Sequence, residues 1–229
     1  MPVFELSDDI TFPSPHWANP DGILAIGGDL KAERLLLAYE MGIFPWYAEN
    51  EPIIWWSPDP RFVLYSDDLK ISKSMKQVLR SGKFQMSFDQ HFETVIRNCQ
   101  KIKRKGQRGT WITNHMYEAY IRLHEMGYAH SVEVWQDKKL VGGLYGVSLG
   151  HVFFGESMFS RLSNASKAAF IHLVSRLKPL GFDLIDCQVY TQHLARFGAQ
   201  QVPRSTFLTQ LSEAMQQKSL IGNWGELIG

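Results

Sequence analysis

The stretch AHSVEVWQDKKLVGGLYGVSLGHVFFGESMF occupies residues 129–159. Ala129–Gln136 alternates as a strand, Asp137-Lys138-Lys139 turns, Leu140–Ser148 returns, and His151–Phe159 makes a third strand after Gly150. Alternation with a period of two puts successive side chains on opposite faces of a sheet. Three such runs joined by short turns predict an antiparallel meander. A long amphipathic helix is expected next, at about 164–178, and then the apolar run Phe182–Val189, which suits a buried strand. Helices near 191–197 and 204–217 close the chain.

Meander, helix, buried strand and helix is the element order of the GCN5-related acetyltransferase fold. That likeness is one of order alone and says little about function. Upstream, Thr113–Met126 reads as a helix capped by Thr113 and stopped by Gly127, preceded by a helical stretch at 90–102 and a strand at Phe84–Phe88. The first 65 residues are punctuated by turn signals such as Phe12-Pro13-Ser14-Pro15 and Trp55-Trp56-Ser57-Pro58-Asp59-Pro60-Arg61. One helix stands out there, at about 31–41, with Asp29 near its N-cap and Gly42 past its end. The expected class is α+β: a small irregular N-terminal domain, 1–65, and a larger acetyltransferase-like domain, 66–229, whose mixed, mainly antiparallel sheet is flanked by helices.

A hydrophobic content of 45% in 229 residues is ample for a packed core. The opening residues carry no basic segment followed by an apolar stretch, and no window of eighteen uncharged apolar residues occurs. A cytoplasmic, monomeric protein with no membrane partner is expected. Cys99 and Cys187 are the only cysteines, without CxxC spacing, and the eight histidines form no ligand set. Neither a disulfide framework nor a metal site is expected.

The net charge of +1 conceals a strong asymmetry. Residues 1–68 hold 3 basic and 12 acidic side chains, residues 69–117 hold 11 and 2, and residues 118–229 hold 10 and 9. Lys70, Lys73, Lys76, Arg80 and Lys83 recur every three or four residues, along one side of a helix that Ser72 caps and Gly82 ends. Lys101, Lys103, Arg104, Lys105 and Arg108 add a second cluster. A solvated helix face accounts for such a run, and so does a localised polyanion contact.

Acetyl-coenzyme A enzymes of this element order place a Gly-rich loop before the long helix to hold the pyrophosphate. Residues 159–167, FSRLSNASK, contain no glycine. Coenzyme A is disfavoured, and Asn164 and Ser166 are left either to cap the helix or to meet another phosphate or ribose. Asp186 and Gln188, two apart on the expected strand, would share one face within an apolar run, paired with neighbours or with a substrate. Glu156, amid Phe and Met, is costly unless neutral, paired or awaiting a cationic ligand. Trp46, Trp55, Trp56 and Trp111 stand in loop contexts, and exposed aromatics beside a basic patch stack unpaired bases as well as filling cores.

The runs 20–30 (PDGILAIGGDL), 42–46 (GIFPW), 55–61 (WWSPDPR), 109–113 (GTWIT), 155–160 (GESMFS), 164–167 (NASK) and 185–188 (IDCQ) closely resemble the bacterial leucyl/phenylalanyl-tRNA–protein transferase family, over roughly residues 10 to 210. The resemblance implies an aminoacyltransferase with no cofactor. Its substrates would be leucyl-tRNA and phenylalanyl-tRNA, with Met a third candidate. The acceptor would be the α-amine of proteins beginning with Lys or Arg, and the product a substrate for N-end-rule degradation.

The resemblance also implies an apolar side-chain pocket of Leu144, Phe153, Met158 and Ile185, and catalysis at Asp186 and Gln188, by positioning or as a base. It further implies acceptor-peptide contacts at Glu156 and Thr191, and a 3′-adenosine site at Trp46, Trp111, Asn164 and Ser166. Lys73, Lys76, Arg80 and Lys83 would hold the tRNA backbone. The family pattern has Asn at position 191, where this chain has Thr191, whose hydroxyl can make one of the same hydrogen bonds. Two rival classes remain in view. An acetyl-coenzyme A acyltransferase lacks its glycine loop here, and a non-catalytic RNA-binding module leaves Glu156, Asp186 and Gln188 without a reason to sit in apolar strands.

Overall fold

The computed structural model describes residues 3–102 and 112–229. Two sheets organise the chain. The smaller joins β1 (Phe4–Leu6), β2 (Ile23–Gly27), β4 (Ile54–Trp56) and β3 (Phe44–Pro45) in that order, with α1 (Ala32–Glu40) between β2 and β3. The N-terminal part, expected to be irregular, therefore carries a sheet of its own. Its strands were hidden because each is five residues or fewer and interrupted by Pro and Gly.

The larger sheet has the order β11-β5-β10-β9-β8-β7-β6. Its strands are β5 (Arg61–Tyr65), β6 (Gln85–Phe88), β7 (Ala129–Gln136), β8 (Lys139–Leu149), β9 (Val152–Ser160), β10 (Leu184–Asp186) and β11 (Gln200–Val202). The expected meander is present as β7, β8 and β9, paired antiparallel, and β10 lies parallel to β9 after the crossover helix α5 (Ala165–Leu177). β5 was not foreseen as part of this sheet, and the expected division between 65 and 66 falls just after it. Strand β11 is also new.

Helices cover both faces. On one side α1, α3 (Phe92–Lys101), α4 (Asn114–Glu125) and α7 (Arg204–Ala214) bury Leu35, Val95, Tyr120 and Phe207 against Val147 and Phe154. On the other α2 (Lys73–Arg80), α5 and α8 (Trp224–Leu227) bury Met75, Phe170 and Trp224 against Val132 and Phe153. The short α6 (Gln192–Ala195) follows β10. Sequence capping signals act as expected at two helices: Ser72 Oγ accepts from Met75 N and Thr113 Oγ1 from Met116 N, both at 3.2 Å. Asn164 is no such cap; it sits at φ 72° without a capping bond to α5.

One irregularity decides where a ligand can sit. Between β8 and β9 the register slips, so that Tyr145 faces Ser157, Gly146 faces Gly155, and Glu156 is the extra residue of a bulge. Gly146 is obligatory, since a Cβ there would lie 2.2 Å from Phe154 O and 2.6 Å from the Phe153 ring. Parallel pairing of β9 with β10 stops at Phe154 and Asp186. Past those residues the two strands part and leave a gap at the carboxyl end of β10, where open sheets characteristically hold ligands.

Candidate active site

The apolar run Phe182–Val189 was expected to be one strand with Asp186 and Gln188 on the same face. Strand β10 instead ends at Asp186, and Gln188 lies beyond it in the left-handed region at φ 62°. The cause is a buried ion pair. Arg61 at the start of β5 grips Asp186 in two bonds, Nε to Oδ1 at 2.9 Å and Nη2 to Oδ2 at 2.6 Å, with both residues buried. Asp186 Oδ1 also accepts the Gln188 backbone N–H at 2.9 Å, which turns the chain out of the sheet. Arg61 is fixed in turn by the Gly42 carbonyl at 2.9 Å and by the rings of Phe44 and Phe207, 4.8 and 4.5 Å from its guanidinium carbon.

The turn brings Gln188 across the gap to Glu156, with Nε2 donating to Oε1 at 2.8 Å. Two buried tyrosines from helices on one side of the sheet complete the set: Tyr39 on α1 donates to Glu156 Oε1 at 2.7 Å, and Tyr120 on α4 to Oε2 at 3.0 Å. The two hydroxyls also bond to each other. Burial raises the Glu156 carboxyl from its ordinary value to about 7, the Asp186 charge adds to the rise, and the Tyr39, Tyr120 and Gln188 donors oppose it. Both tyrosine hydroxyls are held well above their ordinary range, first by burial and then by the Glu156 charge.

Glu156, Asp186 and Gln188 line a cavity of about 490 Å³, within the roughly 300–1,000 Å³ of small-ligand sites. Its wall is apolar, with Leu144, Phe153, Met158, Phe170, Leu173 and Ile185, and its polar side carries Glu156, Ser157, Ser166, Gln188 and Thr191. Trp46 stands at the side contributed by the smaller sheet, 36% exposed and 5.5 Å from the Trp56 ring.

A family description, leucyl/phenylalanyl-tRNA protein transferase, matches residues 63–212, and the description of that transferase's N-terminal domain matches residues 28–59. The chain belongs to the leucyl/phenylalanyl-tRNA protein transferase family. A member from Syntrophus aciditrophicus, named leucyl/phenylalanyl-tRNA–protein transferase, is 58% identical over 224 residues, 98% of this chain and 94% of that one. The same name is carried by relatives from Syntrophobacter fumaroxidans, 57% identical over 93% of this chain and 91% of the relative, and from Myxococcus xanthus, 52% identical over 99% and 97%. Among solved structures, L-PGS from Bacillus licheniformis aligns over 75% of this chain and 57% of that chain with a TM-score of 0.41 and 13% identity, too distant to bear on fold or function. Arg61, which organises the site, lies between the two family matches.

Of the residues singled out from sequence, Trp46, Leu144, Phe153, Glu156, Met158, Ser166, Ile185, Asp186, Gln188 and Thr191 all line the cavity. Asn164 does not; its side-chain oxygen accepts from Lys167 Nζ at 3.2 Å. Thr191 Oγ1 accepts from Leu194 N at 3.2 Å, so its oxygen is already engaged as the N-cap of α6. Trp111 falls outside the described residues. So do Lys103, Arg104, Lys105 and Arg108.

Lys73, Lys76, Arg80 and Lys83 are exposed, none meets a carboxylate within ion-pair distance among the described residues, and none lines the cavity. Sequence reasoning missed Arg61, Tyr39, Tyr120 and His193. Arg61 carried a usable signal, a charge opening the apolar run Phe62-Val63-Leu64-Tyr65, which demands a buried partner. His193 lies on the cavity wall with Nε2 buried and unpartnered, and burial holds its pKa below the usual range.

Proposed function

We propose that this protein moves Leu, Phe or Met from aminoacyl-tRNA to the α-amine of proteins beginning with Lys or Arg, marking them for N-end-rule degradation. The observation that carries the proposal is the cavity at the parting of β9 and β10, apolar along one wall and furnished with Gln188, Glu156 and Asp186 along the other. Leu144, Phe153, Met158 and Ile185 form the pocket for the amino-acid side chain, whose burial is worth about 1.5–3 kcal/mol. Trp46 and Ser166 take the 3′-adenosine together with Trp111. Asn164 acts there only through Lys167. Lys73, Lys76, Arg80 and Lys83 on α2 hold the tRNA backbone without reading sequence.

The ester linking amino acid to tRNA is already activated. The amine nitrogen attacks the ester carbonyl, the bond to the 3′-oxygen breaks, and the proton lost by nitrogen ends on that oxygen. No metal or redox group enters this scheme. Gln188 is a positioning group: with its NH₂ committed to Glu156, its carbonyl oxygen is free to accept from the amine. Asp186, neutralised by Arg61, sets the backbone turn that places Gln188. Thr191 contacts the acceptor peptide at the mouth.

The larger sheet is read as acetyltransferase-like, supported by the antiparallel β7–β8–β9 meander, the α5 crossover and the parting of the parallel pair β9 and β10. Residues 1–65 supply Tyr39, Phe44, Trp46 and Arg61 to a site whose Glu156, Asp186 and Gln188 lie in 66–229. A cytoplasmic monomer suits this role, and no helix among the described residues is long and apolar enough to cross a membrane. The test is transfer of labelled leucine from leucyl-tRNA to peptides that begin with Arg, Lys or Gly. Transfer to the first two alone supports the proposal; equal transfer to the Gly peptide, or to none, contradicts it.

A further inference from the structure

Glu156, Tyr120 and Tyr39 form a closed ring of three oxygen–oxygen hydrogen bonds. Each bond needs one proton. The two phenols supply two, and the third can come only from the carboxyl. With Glu156 ionised, both phenols donate to the carboxylate; a neutral Glu156 completes the ring in one direction by reversing the Tyr120 bond, so that its Oε2–H donates to Tyr120, Tyr120 to Tyr39, and Tyr39 back to Oε1, which also accepts Gln188 Nε2. An ionised Glu156 leaves the contact between the two phenol oxygens without a proton, a buried pair of lone pairs facing each other.

Resting on the aminoacyl-transfer proposal above, we infer that the ring keeps Glu156 as the neutral acid, so that the site offers no counterion to an entering α-ammonium and selects the uncharged amine that attacks the ester.

The surroundings agree from every side. Tyr39 comes from α1, Tyr120 from α4, and Tyr145 on β8 stands edge-on to Tyr120 at 5.5 Å between ring centres. From β10 comes Asp186, whose charge is already matched by Arg61 of β5. The remaining neighbour, Gln188, is a neutral donor. Burial holds the carboxyl up to about 7. An α-amine in water, with a pKa near 8, is mostly charged at neutral pH. A carboxylate beside Gln188 would bind it as the unreactive ammonium, whereas a neutral site favours the base. Glu156 is thus a positioning residue for Gln188 and excludes charge from the reaction site.

The test has two independent readouts. Infrared spectroscopy of the protein alone, at about pH 6, should show a protonated-carboxyl stretch that is absent in Glu156→Gln; no such band in the parent overturns the inference whatever the activity. In the transfer assay, Glu156→Gln preserves one donor and one acceptor in place and Glu156→Leu preserves neither. The Gln variant should exceed the Leu variant by at least about tenfold in kcat, and its pH profile should lack the parent's downward bend near neutrality. A Gln variant as impaired as the Leu variant would mean that the carboxylate itself acts, and would overturn the inference. Absence of transfer in the parent would instead refute the aminoacyl-transfer proposal and leave the infrared result standing.

Discussion

Gln188 Nε2 and Glu156 Oε1 meet at 2.8 Å across the gap that opens where β9 and β10 cease to pair. The hydrogen bond joins a bulge residue on one strand to a left-handed residue just past the other, so both departures from regular sheet serve a single interaction. The Arg61–Asp186 pair sustains it from behind.

Removing one partner of that pair strands a buried charge. Arg61→Leu should cost about 3–5 kcal/mol in urea unfolding, and the double variant Arg61→Leu with Asp186→Leu should recover part of that loss. A single variant as stable as the parent would show that the pair is not holding β5 to β10.

Glu156 should make stability fall with rising pH. Its folded value, about 7, lies above the ordinary 4.5. Its contribution is therefore complete below about pH 4.5 and is lost as pH rises through 7, on the order of 3 kcal/mol in total. Because Glu156→Gln never ionises, the stability difference in its favour should widen between about pH 5 and pH 8. Denaturant titrations at both pH values check this; a difference that does not change with pH contradicts it.

Lys73, Lys76 and Arg80 lie one turn apart on the exposed side of α2. Changing all three to Ala should raise KM for aminoacyl-tRNA and flatten its logarithmic salt dependence by about 0.7–0.9 for each phosphate no longer neutralised. Transfer from an aminoacylated fragment of only the 3′ end should be unaffected. Equal impairment with the fragment would place the defect in the cavity instead.

The apolar wall should discriminate by volume. Leu144→Phe fills part of the side-chain pocket and should lower the ratio of Phe to Leu transfer by roughly tenfold, read as competing kcat/KM values. An unchanged ratio would remove Leu144 from the pocket.

Elements whose determinants are local were legible in the sequence. Ser72 and Thr113 cap the helices they precede, Gly82 and Gly127 take the positive φ that ends them, and the alternation of residues 129–159 yields three strands. Family resemblance grouped Leu144, Phe153, Met158 and Ile185, and all four line the cavity. The true end of β10 was not, since the turn at Gln188 depends on Asp186, whose partner Arg61 is 125 residues upstream. The Glu156 ring was hidden for the same reason: Tyr39 and Tyr120 come from helices that meet only in the folded core. Strand β5 escaped because its apolar run follows a turn-rich segment and pairs only with residues near the far end of the chain.

In the proposed reaction the Gln188 side chain orients the amine for attack on a bound aminoacyl ester. Single-turnover transfer of leucine from pre-bound leucyl-tRNA to an Arg-starting peptide, compared between the parent and Gln188→Ala, tests it most directly. The transfer rate of the variant should be lower by about 100-fold, with leucyl-tRNA affinity and melting temperature close to the parent's. A variant that transfers at the parental rate would contradict it.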